Sequence, residues 1–191
     1  MSDLISLSEY KDYEGIIDST NDDLKIAMLI KSVSRLVKNY CASSIVDYYN
    51  NDKIELISVS IPSVRVFLTE SPLISVTQVE VKTTNTEPYY VLDPSLYSAD
   101  FLIDALVRHD SSGSPRPWEE GINSVKVSYR AGYESCPEDL KLAVIDLVNY
   151  YKLDEHKTRQ SVLSANKENY VVTKDFPEHI KRVLDLYKVH V

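Results

Sequence analysis

Residues 125–151, VKVSYRAGYESCPEDLKLAVIDLVNYY, decide the reading of this chain. Val125, Val127 and Tyr129 alternate with Lys126, Ser128 and Arg130, the period of two that marks a half-buried strand. Ala131-Gly132-Tyr133 breaks the alternation, with Gly132 placed where a chain leaving a sheet needs a positive φ. A helix is predicted next. Ser135 or Cys136 can cap it, Pro137 suits its first helical position, and Glu138 and Asp139 put negative charge at the positive end of its dipole. Leu140, Ala143, Val144, Leu147, Val148 and Tyr151 recur at three and four residues and give it one apolar face. Gly132 and Pro137 are thus the expected structural hinge between a sheet and a helical layer.

Towards the N-terminus, Ser6-Leu7-Ser8-Glu9 has capping-box spacing and predicts a short helix from Leu7 to about Tyr13. Gly15 and the cluster 18–21 end it. A longer helix capped by Asn21 or Asp22 is predicted from the stripe Ile26, Leu29, Ile30, Val33, Leu36, Val37 and Tyr40. It ends near Cys41 or continues through 42–44 into Tyr48-Tyr49. Lys25, Lys31, Arg35 and Lys38 form its expected solvated face. Strands are predicted over 53–60, 64–69 and 76–81, with Pro62 and Pro72 marking the breaks, and again over 89–92 and 101–108. The last of these also fits a helical period through Leu102, Ala105 and Leu106, but its flanking turn signals favour strand. The segment 110–121, DSSGSPRPWEEG, is irregular and contains Trp118, either a lid on the sheet or a contact with another subunit.

Beyond Tyr151 the chain turns polar from Lys152 to Asn169 and reads as a linker. Tyr170-Val171-Val172 suits a brief strand, and Phe176-Pro177-Glu178 opens a final helix with the narrow stripe Ile180, Val183, Leu184 and Tyr187. The fold class expected is α+β: a helical bundle, an antiparallel β-strand region and a separate C-terminal amphipathic helix. The expected division is a core at 1–151 and a linker with a docking helix at 152–191. Phe176, Ile180, Val183, Leu184, Tyr187 and Trp118 are the candidate contacts with a partner or a neighbouring subunit.

The chain has 191 residues, 43% hydrophobic and 26% charged, enough for a core without disulfides or metals. No apolar run approaches the ~20 residues needed to span a bilayer. MSDLISLSEY lacks the basic start and apolar core of a signal peptide, so synthesis in a cytoplasm is expected. Cys41 and Cys136 show no metal-ligand spacing and are expected to be buried free thiols. The net charge of −8 opposes tight binding of nucleic acid, while leaving open a channel wall past which DNA slides. Tyrosine, at 14 residues, is over-used in a way that favours protein–protein contacts.

The motif at 125–151 resembles the head–tail connector (adaptor, or head completion) proteins of tailed bacteriophages. The resemblance extends in order along most of the chain, from about Leu4 to Tyr187. SPLISVTQVEV at 71–81 matches a proline-opened strand, and Tyr97 and Asp100 match a Tyr-x-x-Asp segment. Trp118 stands for a tryptophan loop, although here Pro117 precedes the tryptophan instead of following it. PEHIKRVLDLY at 177–187 matches a closing helix. The segment after Asp100 is longer and more apolar than the family pattern. The resemblance implies a non-enzymatic virion protein: a ring of twelve subunits under the portal that continues the DNA channel. Its implied partners are the portal protein, tail completion or tail-terminator (nozzle) proteins, and double-stranded DNA without sequence specificity, with no membrane and no cofactor.

The residues themselves offer no catalytic constellation. Gly113-Ser114 lacks the G-x-S-x-G elbow, and His109, His156, His179 and His190 are scattered. No calcium loop or glycine-rich phosphate loop is present. Asp22-Asp23 and Glu138-Asp139 read as helix-start charges. Lys157-Thr158-Arg159 and Lys181-Arg182 lack interleaved aromatics and read as solvated surface or as contacts with acidic portal residues. Two other classes stay open: a small enzyme or ligand-binding α+β domain, and a regulatory partner protein of the toxin–antitoxin kind.

Overall fold

The structure, a computed structural model, describes residues 2–16, 20–84, 86–153 and 176–189. It contains four helices among these residues: α1 (Leu7–Glu14), α2 (Asp23–Cys41), α3 (Glu138–Lys152) and α4 (Glu178–Leu186). Seven strands are present: β1 (Lys53–Val59), β2 (Arg65–Phe67), β3 (Leu73–Val81), β4 (Tyr90–Val91), β5 (Tyr97–Asp100), β6 (Ala105–Arg108) and β7 (Gly121–Ala131). The α+β class is as expected. By internal contact the chain forms two compact units, one from Met1–Ala42 with Ser135–Lys188 and one from Ser43–Glu134. In this grouping α4 falls in the same unit as α2 and α3.

In the helical unit, α1 starts with the expected capping box. The Ser6 hydroxyl accepts from the Glu9 amide at 3.1 Å, and the Ser6 amide donates to the Glu9 carboxylate at 2.7 Å. Gly15 closes α1 in the left-handed conformation. α2 stops at Cys41 because Ala42 turns left-handed (φ 53°), so it does not run on to Tyr48. Its inner face carries Ile26, Ile30, Val33, Val37 and Cys41, while Leu36 lies exposed. Lys38, expected in solvent, is buried: its ammonium reaches the Ser2 carbonyl at 2.8 Å, which offsets the loss of hydration. α3 buries Leu140, Ala143, Val144, Leu147 and Val148 as its periodicity predicts. Its cap is Pro137, not Ser135 or Cys136, and no side chain caps it, leaving Glu138 and Asp139 to satisfy the helix start electrostatically.

The β unit holds two antiparallel sheets. One has the order β1-β7-β3-β4 and the other β2-β6-β5. Strand β7 is central to the first, pairing Val125 with Ile57 and Val81, and Tyr129 with Lys53 and Val76. Val125, Val127 and Tyr129 face the core and Lys126, Ser128 and Arg130 the other side, as the alternation predicts. Residues 101–108 divide. Their second half is β6, but 101–104 form the turn of a hairpin whose first strand, β5, the sequence pattern had left between two predicted strands. Gly132 takes φ 98°, confirming the need for glycine at the strand exit. Linker residues 154–169 and the expected strand at 170–172 lie outside the described residues.

Candidate functional site

The candidate contacts named from sequence separate into buried and outward groups. Trp118 is fully buried in the β core. Its indole N–H donates to the Val64 carbonyl at 3.0 Å and its amide to the Ser63 carbonyl at 2.8 Å. The guanidinium of Arg108 lies over its ring, 5.6 Å from the centroid, and forms an ion pair with Glu119 at 3.0 Å. These contacts make Trp118 the lid of its own sheet and leave no indole surface for a partner.

The C-terminal helix also turns its stripe inward. Ile180 is 1% exposed and Leu184 0%, packed in the helical unit with α2 and α3. Phe176 meets the Tyr40 ring edge-on at 4.9 Å, the Tyr40 hydroxyl donates to Asp185 at 2.6 Å, and the Tyr187 hydroxyl donates to Asp139 at 2.6 Å. Val183 is half-buried. A narrow stripe is enough to complete a small helical core, and that is the use made of it here.

Polar chemistry in the β unit is also internal. Strand β1 turns Lys53 and Glu55 inward beside Tyr129, and so presents Ile54 and Leu56 to solvent. The Tyr129 hydroxyl donates to Glu55, Thr69 donates to the same carboxylate at 2.9 Å, and Lys53 bridges Thr69 and Glu70. Glu70 in turn accepts from the Ser43 hydroxyl and the Ser44 amide at 3.0 and 2.8 Å. Burial, with the Glu55 carboxylate adding to it, holds the Tyr129 phenol far above its ordinary range. Both carboxylates share Lys53 and accept further hydrogen bonds from Tyr129, Thr69, Ser43 and Ser44, so the cluster staples segments together.

Both cysteines are free and buried. Burial pushes the Cys41 thiol up to about 11 and the Cys136 thiol up to about 12, so neither is a nucleophile near neutral pH. Among the described residues no group of His, Cys, Asp and Glu is arranged to hold a metal ion. No helix among them is long and apolar enough to cross a membrane. A hollow of about 400 Å³ beside α1 is lined by Leu4, Leu7, Ala27, Ile30 and two acids, Asp3 and Glu9; Glu9 is already committed to the capping box.

Outward apolar surface is what sequence reasoning missed. Phe101, Leu102 and Ile103 tip the β5–β6 hairpin, with Leu102 91% exposed. The tip is held from both ends. Asp100 accepts from the Leu102 amide at 3.2 Å, and left-handed Asp104 accepts from the Leu73 amide through its carboxylate at 2.6 Å. The apolarity of this segment is visible in the sequence, where it reads as the start of a strand over 101–108 instead of as a turn.

A family model described as "Head completion protein" matches residues 3–190. The chain belongs to the head completion protein family. It is a structural, non-enzymatic head–tail connector protein of the virion, as that family indicates. Solved structures similar to it in fold include the following three. The neck of an empty GTA particle computed with C6 symmetry has a TM-score of 0.62 at 12% identity, over 98% of this chain and 91% of that one. The neck of a native GTA particle computed with C12 symmetry has a TM-score of 0.59 at 13% identity, over 100% of this chain and 96% of that one. The virion of a native gene transfer agent particle has a TM-score of 0.61 at 12% identity, with coverages of 98% and 91%. At such identities the likeness speaks for the fold. No curated protein matches the chain.

Proposed function

We propose that this head completion protein is the repeating subunit of a ring beneath the portal that continues the DNA channel and receives the tail. The observation that carries the reading is the family match over almost the whole chain. Its fold likeness to particle necks computed with sixfold and twelvefold symmetry supports a ring, and twelve is the copy number we adopt. The outward apolar surfaces of β1 and of the hairpin tip suit a subunit that has neighbours. With a net charge of −8, the ring passes double-stranded DNA through weak, sequence-independent contacts that modest salt abolishes.

Native mass spectrometry and electron microscopy of the protein alone and with portal-bearing heads test the reading. A closed ring on the portal is expected. A protein found only as a monomer, and absent from purified virions, overturns it. A binding titration showing tight, sequence-selective retention of DNA at physiological salt overturns the passive-channel part.

A further inference from the structure

Two outward helix faces in the helical unit have matching spacing and opposite charge. On α2, Leu24, Met28, Lys31 and Arg35 follow a 4-3-4 spacing on the side away from the buried Ile30, Val33 and Val37. All four are exposed, Leu24 at 77%. On α3 and its C-cap, Leu153, Asp146 and Leu142, with Asn149 at the edge of the stripe where Tyr10 and Glu14 of α1 hold its amide, follow the same 4-3-4 spacing in the reverse direction, opposite the buried Val144 and Leu147. Leu153 is 66% exposed, Leu142 is exposed and Asp146 is half-exposed. Each stripe covers twelve residues, its ends eleven helical steps apart (35 − 24 and 153 − 142), or about 16 Å of helix. Such alternating spacing is the seam by which one helix packs along another.

We infer that, within the ring proposed above, the Leu24–Arg35 face of α2 packs antiparallel on the Leu142–Leu153 face of α3 of the next copy. The alignment sets Leu24 against Leu153, Met28 over Asn149 and Tyr150, Lys31 against Asp146, and Arg35 over Leu142 within a turn of Glu138. Lys31, Arg35 and Asp146 form no ion pair among the described residues, so their charges are available across subunits. The two faces lie on different helices of one unit. The contact is therefore heterologous, the kind that closes into a ring when the rotation allows. Lys31 with Asp146 fixes the register, and the leucines supply the apolar area.

The test is a charge swap, run under whichever condition, alone or on portal-bearing heads, the wild type assembles. Lys31→Glu and Asp146→Lys are each expected to shift native mass spectra from ring to monomer while leaving the subunit's melting curve in place. Lys31→Glu combined with Asp146→Lys is expected to restore the ring. If the wild type forms a ring and either single variant does so equally well, or if the double variant stays monomeric, the interface is elsewhere and only this inference falls. If the wild type forms no ring under either condition, the ring reading falls and takes this interface with it.

Discussion

The Cα of Gly132 lies so close to the Ile45 carbonyl that a Cβ there would stand 2.2 Å from its oxygen. The approach is built from the backbone itself. The Gly132 amide donates to Pro72 at 2.8 Å, the Tyr133 amide to that same Ile45 carbonyl at 2.8 Å, and the Ala131 amide to Tyr48 at 3.1 Å. The end of β7 is thereby stitched to the 45–48 segment. Glycine at 132 is required twice, by φ 98° and by the absence of space.

Gly132→Ala is accordingly expected to destabilise the protein by about 3 kcal/mol, combining left-handed strain with overpacking against backbone that cannot yield. Urea denaturation followed by circular dichroism measures it. A loss under 1 kcal/mol (roughly the helix-propensity scale) would mean that the 45–48 segment shifts freely.

Leu184 reports on where the C-terminal helix belongs. Fully buried in the helical unit, it accepts through its carbonyl a contact from the Cys41 thiol at 3.6 Å. Leu184→Ala should lower the stability of the isolated subunit by about 2–5 kcal/mol, the range for a buried leucine truncated to a cavity. An unchanged melting temperature, with attachment to portal-bearing heads lost, would restore the docking role that its sequence position suggested.

What the sequence made legible follows from how directly each signal maps onto local geometry. The β7–Gly132–α3 passage was readable because strand period, a glycine turn and helix-start charges are each local rules, and all three agree there. The α1 capping box was readable for the same reason. The failures share a cause too: they concern which partner a face meets. Lys38 looks like every other lysine on α2, and its burial beside the Ser2 carbonyl depends on how the chain's first residues pack. Lys53 and Glu55 have the side chains of a solvent face of β1, and contacts distant in sequence, with the Tyr129 hydroxyl, Thr69 and Glu70, meet them on the inner side, with Ile54 and Leu56 outward. The stripe on α4 is as narrow as that of a docking helix, and nothing local distinguishes docking on a partner from docking on α2 and α3.

Glu9 makes acid stability depend on the first helix. Its carboxylate is held below the ordinary 4.5, first by the Ser6 amide and further by hydrogen bonds from the Lys141 ammonium and the Ser6 hydroxyl, against a smaller opposing effect of burial. A depressed carboxylate stabilises the fold in full above its unfolded pKa and loses that contribution as pH falls through the folded value. The loss therefore begins near pH 4.5 and runs to lower pH. Glu9→Gln should lower the melting temperature modestly at pH 7 and narrow its gap from wild type as pH drops through that window. A constant gap from pH 7 to pH 3 would rule the linkage out.

The hairpin tip gives a prediction in which assembly and folding part company. Phe101 and Leu102 are exposed, and Leu102 makes only a backbone bond to Asp100, so its side chain contributes nothing to the β core. Asp100 and Asp104 hold the tip in place without covering it, the Asp104 carbonyl also accepting from the Leu68 amide at 2.9 Å. Burying a leucine side chain is worth ~1.5–3 kcal/mol, so, under the ring reading proposed above, an exposed leucine fixed on a hairpin end is expected to meet a neighbouring protein at one of the ring's two junctions. Leu102→Asp should leave the subunit's melting temperature within about a degree of wild type, since substitutions on open surface change stability little. Retention on portal-bearing heads, or of tails on filled heads, should fall by at least tenfold, the equivalent of about 1.4 kcal/mol. Co-sedimentation of the variant with heads separates the two quantities. Equal retention of variant and wild type at both junctions would remove the tip from the assembly surface, and a large fall in melting temperature would place Leu102 in the fold instead.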